Sequence, residues 1–192
     1  MPRSAAVSRD TSETSVRVEL DLDGRGRWET RTGVLFLDHM LSHLARHGLF
    51  DITVAANGSD QHHVVEDVAI CLGRAFNQAL EEKRGIVRMA HAVVPMDEAL
   101  ALVAVDIGGR GYARVEATLG DTVEDLRSDL VRHFLESFAI EGRFNLHVQV
   151  LQGINDHHKV EAVFKALARA LGAATRIDER VGGQIPSTKD VI

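Results

Sequence analysis

The sequence predicts an α/β chain, an α+β two-layer sandwich made twice over: a small sheet with two helices, duplicated, the halves related by a pseudo-twofold axis. Three observations predict it. Alternating apolar positions mark strands, apolar positions at helical spacing mark helices, and the same order of features occurs in both halves. "VELDLDGRG" (18–26) lines up with "VAVDIGGRG" (103–111), so Asp21 matches Asp106 and Arg25 matches Arg110. "HMLSHLARHGLFDITV" (39–54) lines up with "HFLESFAIEGRFNLHV" (133–148), pairing His39 with His133, Gly48 with Gly142 and Phe50 with Phe144. "HHVVED" at 62–67 returns as "HHKVEA" at 157–162. The expected division is residues 1–90 for the first half and 91–192 for the second, which ends in a tail; together they form one compact unit.

Taken in chain order, "SVRVELDLDG" alternates as a half-buried strand should. Asp38 is the expected N-cap of a helix that carries Leu41 and Leu44 on its core side and stops at Gly48. "LFDITVAANG" reads as a strand ending at Asn-Gly. From about 62 to 82, Val65, Val68, Ala69, Leu72, Ala75, Phe76 and Leu80 recur with helical spacing. In the second half "ALALVAVDIGG" is the more apolar counterpart of the first strand, and helices are expected near 125–140 and 156–171.

Composition narrows the functional classes. The 192 residues are 45% hydrophobic and 26% charged, with 3 prolines and a net charge of −6. That is a globular composition without the basic stripe of a nucleic-acid binder. No run approaches the roughly 20 apolar residues of a membrane span, and the polar N-terminus lacks the apolar core of a secretory signal. A cytoplasmic protein is expected, with Cys71 a buried, reduced thiol.

The repeated His-His-x-x-Glu points to metal. Residues four apart share a helix face, so His62 and Glu66 can hold one ion, while His63, turned by about 100°, faces elsewhere. The same holds for His157 with Glu161, and for His158. His39 and His133 occupy matching places in the preceding helices, completing six imidazoles and two carboxylates for two ions, with positions left for water or substrate. Such a donor set without thiolate suits Mn, Fe, Zn, Co or Ni, and open positions suit catalysis. His43 shares a helical stripe with His39 and His47 as a neighbour of the site; His147 is expected at the surface, and His91 has no repeat partner. A dinuclear metallohydrolase and a metal-storage or metal-sensing protein would use the same ligands. Arg88, Arg110 and Lys189, which suit an anionic ligand, speak against storage.

"FLDHMLSHLARHGLFD", "HHVVEDVAICLG", "INDHHKVEAVFKALARAL" and the terminal "PSTK" closely resemble the imidazoleglycerol-phosphate dehydratases of histidine biosynthesis, from about Glu13 to Lys189. The resemblance implies two Mn2+ per active site, held by His39, His62, His63, Glu66, His133, His157, His158 and Glu161. It implies substrate contacts at Glu13, His47, Arg88, Arg110, Ser187, Thr188 and Lys189, the tail ordering on the substrate or a neighbouring subunit. It also implies a 24-subunit homo-oligomer with active sites where subunits meet, a small phosphorylated imidazole as substrate, and neither nucleic acid nor membrane as partner. In the implied reaction the metals stabilise an imidazolate, whose electrons expel the hydroxyl beside the ring. Glu13 and Glu161 are the candidates for proton transfer. "GIVRMAHAVVPMDEAL" and "KDVI" depart from the usual family wording without losing a ligand type.

Overall fold

Period-two and helical patterns resolve into the same order of elements in each half. The computed structural model describes residues 3–192. The first half runs β1 (Ser4–Asp10), β2 (Thr14–Asp21), β3 (Trp28–Arg31), α1 (Leu35–Gly48), β4 (Asp51–Gly58) and α2 (Gln61–Ala79). The second runs β5 (Met89–Met96), β6 (Ala99–Asp106), β7 (Tyr112–Glu116), a short hairpin of β8 (Thr122–Val123) and β9 (Leu126–Arg127), α3 (Ser128–Glu141), β10 (Asn145–Gln152) and α4 (Asp156–Thr175). The sheets have the orders β1-β2-β4-β3 and β5-β6-β10-β7, each with one parallel pair, β3 with β4 and β7 with β10. Val18 faces Val54 in one and Val103 faces Val148 in the other, all buried. The α/β architecture with two alike halves is the one expected.

β1 and β5 are edge strands that the pattern does not announce, because "SAAVSRD" and "MAHAVVPM" lie against the core on one side only and only partly. Pairing places them: Ser4 to Asp10 run antiparallel to Asp21 to Ser15.

Two helix ends differ from expectation. Helix α1 begins at Leu35 rather than after Asp38, and its cap residue Val34 offers no side-chain acceptor. Asp125, in the β8–β9 turn of the other half, accepts from the backbone N–H of Leu35 at 2.7 Å and of Phe36 at 2.9 Å. The first-turn N–H groups thus find a tertiary acceptor, while Asp38 accepts from Thr32 N–H at 3.1 Å. At the other end the left-handed residue is Leu49 (φ 61°), not Gly48. Gly48 is needed for space, since a Cβ there would meet the Phe50 ring at 2.6 Å.

The layers are sheet, helices, helices, sheet. Helix α2 packs on β1 and β2, α4 packs on β5 and β6, and the helices meet across the halves, α1 on α4 and α2 on α3. Small residues allow the approach. A Cβ on Gly172 would lie 2.8 Å from Gly48 O, and one on Gly73 would lie 2.8 Å from Gly142 N and Phe138 O. In an ordinary helix Gly→Ala gains about 1 kcal/mol of propensity. At Gly73 the clash is with backbone, and overpacking of that kind costs about 1–3 kcal/mol. Gly73→Ala is therefore expected to lower stability, by up to about 2 kcal/mol net, and denaturant unfolding measures it; a gain in stability would refute the close approach.

Candidate metal centre

Helices α2 and α4 begin where an Asx side chain can cap them. Asp60 Oδ1 accepts from His63 N–H at 3.1 Å, and Asn155 Oδ1 accepts from His158 N–H at 3.3 Å. Each cap sets a histidine pair in the first turn and a glutamate one turn later. Because α1 packs on α4 and α2 on α3, a histidine from the opposite half meets each set.

Two clusters result. In the first, His39 Nε2 and His157 Nε2 lie 3.4 Å and 3.2 Å from Glu161 Oε2. His43 Nε2 is 3.4 Å from Glu161 Oε1 and 3.3 Å from His39 Nε2. In the second, His133 Nε2 lies 3.3 Å from Glu66 Oε1, and His62 Nε2 lies 4.0 Å from Glu66 Oε2. Bonds of about 2.1 Å at roughly 90–110° would leave neighbouring donor atoms about 3.0–3.4 Å apart. Most of these separations match that edge length. Moreover, His133 Nε2 is buried without a hydrogen-bond partner, despite the nearby carboxylate. A buried orphan of this kind is costly unless its lone pair is used, so a divalent cation fits the donor set.

His63 and His158 turn away from their neighbours, at ring angles of 83° and 85°. His63 Nε2 faces Glu13 Oε2 at 3.5 Å, on the β1–β2 turn. His158 Nδ1 is 2.7 Å from Glu98 Oε2, on the β5–β6 turn. Within one chain, then, the second cluster gathers three expected residues, His62, Glu66 and His133. In the first the mutually close donors are His39, Glu161 and the unexpected His43, with His157 reaching Glu161.

The clusters differ electrically. Burial pushes the Glu161 carboxyl up, but the Lys165 ammonium, 2.6 Å from Oε1, and His43 outweigh it and hold the group at about 2. Burial pushes His43 down to about 4, with His39 adding to the shift and Glu161 opposing it. Glu98 is held at about 2 by its bond with His158, then by the Asn155 N–H. His43, Lys165 and Glu98 were not assigned to the site from the sequence. His43 and Lys165 have Ser137 and Ile70 as repeat counterparts, so the duplication gives them no signal. Glu98 had one: extending the match of 18–26 with 103–111 back by five residues pairs it with Glu13.

The anion-suited residues lie elsewhere. Arg88 N–H donates to Ala174 O at the far end of α4. Ala174 follows His157 by seventeen residues, about 26 Å of helix. Arg88 forms a fork on Asp106 (2.7 and 3.2 Å) and donates to Pro186 O at 2.8 Å, which seats the tail carrying Ser187, Thr188 and Lys189. Arg110 is exposed on the nearby β6–β7 loop. His47 stands two turns beyond His39 and stacks on His43 with centroids 5.4 Å apart. His147 is exposed, as expected. A hollow of about 560 Å³ between β7 and α3 contains none of the eight expected ligands.

Residues 32–171 match the family model of imidazoleglycerol-phosphate dehydratase. The chain belongs to this family. It is 59% identical over 191 residues to the imidazoleglycerol-phosphate dehydratase of Dehalococcoides mccartyi, covering 99% of this chain and 97% of that one. It is 51% identical over 191 residues to that of Methanothermobacter thermautotrophicus, covering 97% and 96%. The crystal structure of the Staphylococcus aureus dehydratase superposes with a TM-score of 0.84 at 34% identity, covering 91% of this chain and 99% of that chain. That of Pyrococcus furiosus, in complex with (S)-C348, gives 0.85 at 36%, covering 97% and 100%. As a member of the dehydratase family the chain is a hydro-lyase. Among the described residues no helix is long and apolar enough to cross a membrane.

A pH dependence follows from the first cluster. His43 has a folded value of about 4 against an ordinary 6.5, so the unfolded chain takes up a proton that the native one resists. The stability it contributes is present above about pH 6.5 and is lost as the pH falls toward 4. Glu161, at about 2 against 4.5, adds a loss that begins near pH 4.5. Thermal melts of metal-free protein are expected to shift downward as the pH falls from 6.5 to 4, and His43→Gln is expected to flatten that decline.

Proposed function

We propose that the protein dehydrates D-erythro-imidazoleglycerol phosphate to imidazoleacetol phosphate, a step of L-histidine biosynthesis in the cytoplasm, at a site holding two Mn2+. The observation that carries this reading is the pair of His/Glu clusters, each assembled from both halves, in a chain of this family. Bound ions would supply Lewis acidity to the substrate's imidazole ring and a template that orients it. His39, His157 and Glu161 would hold one ion; His62, Glu66 and His133 would hold the other. Residues 1–90 and 91–192 are then two copies of one unit, with the ligands at their junction.

His63 and His158 complete these sites in neighbouring copies. Their rings turn away from those of His62 and His157, and Leu35 and Ile154 are 76% and 87% exposed, apolar surface that a second copy would cover. Scale favours the same reading. A substrate with three carbons between ring and phosphate cannot reach from the clusters to Arg88, Arg110, Ser187, Thr188 and Lys189, about 26 Å away along α4. Those residues would therefore receive the phosphate of a substrate whose ring sits on another copy, in a 24-subunit shell. Arg88 has three of its five N–H groups bonded to Asp106 and Pro186, which leaves two for phosphate oxygens.

The two candidate carboxylates divide the work. Glu161, tied to Lys165 and held at about 2, suits ion binding better than proton uptake near neutrality. Glu13 is exposed on its turn, and among the described residues it faces His63 with no Lys or Arg paired to it, so it is the group to move a proton at the substrate's side chain.

The test follows ketone product from imidazoleglycerol phosphate with metal-stripped protein, before and after adding Mn2+. Activity is expected to return with about two ions per chain. Stoichiometric binding without ketone would refute the dehydratase reading and direct the search to hydrolysis. Glu13→Gln is expected to lower kcat by about 10²–10⁴-fold with Mn2+ binding intact. Mixing His158→Gln subunits with Arg110→Ala subunits is expected to restore part of the activity that each lacks, as sites shared between copies require.

A further inference from the structure

The carboxylate of Glu98 joins two things that the catalytic reading uses separately: a histidine ring and the start of the helix that carries it. Its Oε2 lies 2.7 Å from His158 Nδ1. Its Oε1 accepts from the backbone N–H of Asn155 at 2.8 Å and of Ile154 at 3.1 Å. Asn155 in turn caps α4 at His158 N–H, 3.3 Å away. One side chain on the β5–β6 turn thus holds both the ring and the residues that orient its backbone.

We infer that Glu98 is a positioning residue that selects Nε2 of His158 as the metal-donating atom. The inference rests on the proposed role of His158 as a ligand. An ionised carboxylate can only accept, so the proton of the neutral ring must sit on Nδ1 and the lone pair on Nε2. A carboxylate behind a ligating imidazole fixes its tautomer, limits its rotation and raises its basicity. Nε2 of His158 faces Asp97 Oδ2 at 3.7 Å. His157 shows the same arrangement, with Nδ1 3.0 Å from Glu124 Oε1.

The repeat makes the assignment sharper. Glu13 is the counterpart of Glu98, on the equivalent turn, yet it faces Nε2 of His63 at 3.5 Å instead of Nδ1. On the Nδ1 side of His63 stands Asp60 Oδ2, at 2.6 Å. The two halves have given one inherited turn carboxylate different work. Glu98 is spent on holding a histidine, and Glu13 is left at the side where chemistry takes place.

The test titrates metal-stripped full-length protein with Mn2+, reading free ion by electron paramagnetic resonance. Wild type, Glu98→Gln, His158→Gln and the double variant are compared, with thermal melts of each metal-free form. Glu98→Gln keeps an oxygen for the two backbone donors, so its melting temperature is expected to stay near wild type. Its Mn2+ affinity is expected to fall about tenfold. In the His158→Gln background the same change is expected to add nothing, because Glu98 acts through that ring. Unchanged affinity in Glu98→Gln, or effects that simply add in the double variant, would overturn the inference. Should His158→Gln itself bind Mn2+ like wild type, the ligand reading of His158 fails instead, and the two failures are told apart.

Discussion

Close contact between helices of opposite halves is the constraint on which the site depends. His39 and Glu161 belong to different halves, as do His133 and Glu66, and neither half alone contains a complete cluster. The ligand atoms meet within 3.4 Å because α1 packs on α4 and α2 on α3. Gly48 against Gly172 and Gly73 against Gly142 keep those helix contacts close, since a single methyl at either would strike main-chain atoms. Packing and chemistry are therefore one problem in this molecule. The apolar inner faces, with Phe76, Phe138 and Phe144 in mutual ring contact, drive the halves together, and the glycines let the helices pack closely.

A duplicated motif does not give duplicated surroundings. Around Glu161 stand Lys165 and a third imidazole, His43, while the equivalent positions beside Glu66 are Ile70 and Ser137. The β8–β9 hairpin belongs to the second half only. It supplies Asp125 to the start of α1, Glu124 to His157, and a carbonyl to the Gln61 amide at the start of α2. The first cluster is thus richer in donors and carries a fixed positive charge, and the second is simpler and more open. Two ions bound here would meet different fields.

Much was legible in the sequence by itself. Alternation and helical spacing determined the α/β class, because inward-facing side chains must recur with the period of the backbone. The repeat determined that there are two alike halves, and the i, i+4 spacing of His62 with Glu66 and His157 with Glu161 determined the core of each cluster. That spacing also set His63 and His158 facing elsewhere, as they do. These are local or self-referring properties, and a chain carries them without folding. Only the tertiary structure decided the rest. It decided that α1 is capped by Asp125 from ninety residues away. It decided that each cluster mixes halves, and that His43 reaches ligand distance. The end of α4 against which Arg88 lies stands apart from the histidines for the same reason. Such facts depend on which helix faces which, and helix pairing is settled by shape and close approach between distant segments, about which local periodicity is silent.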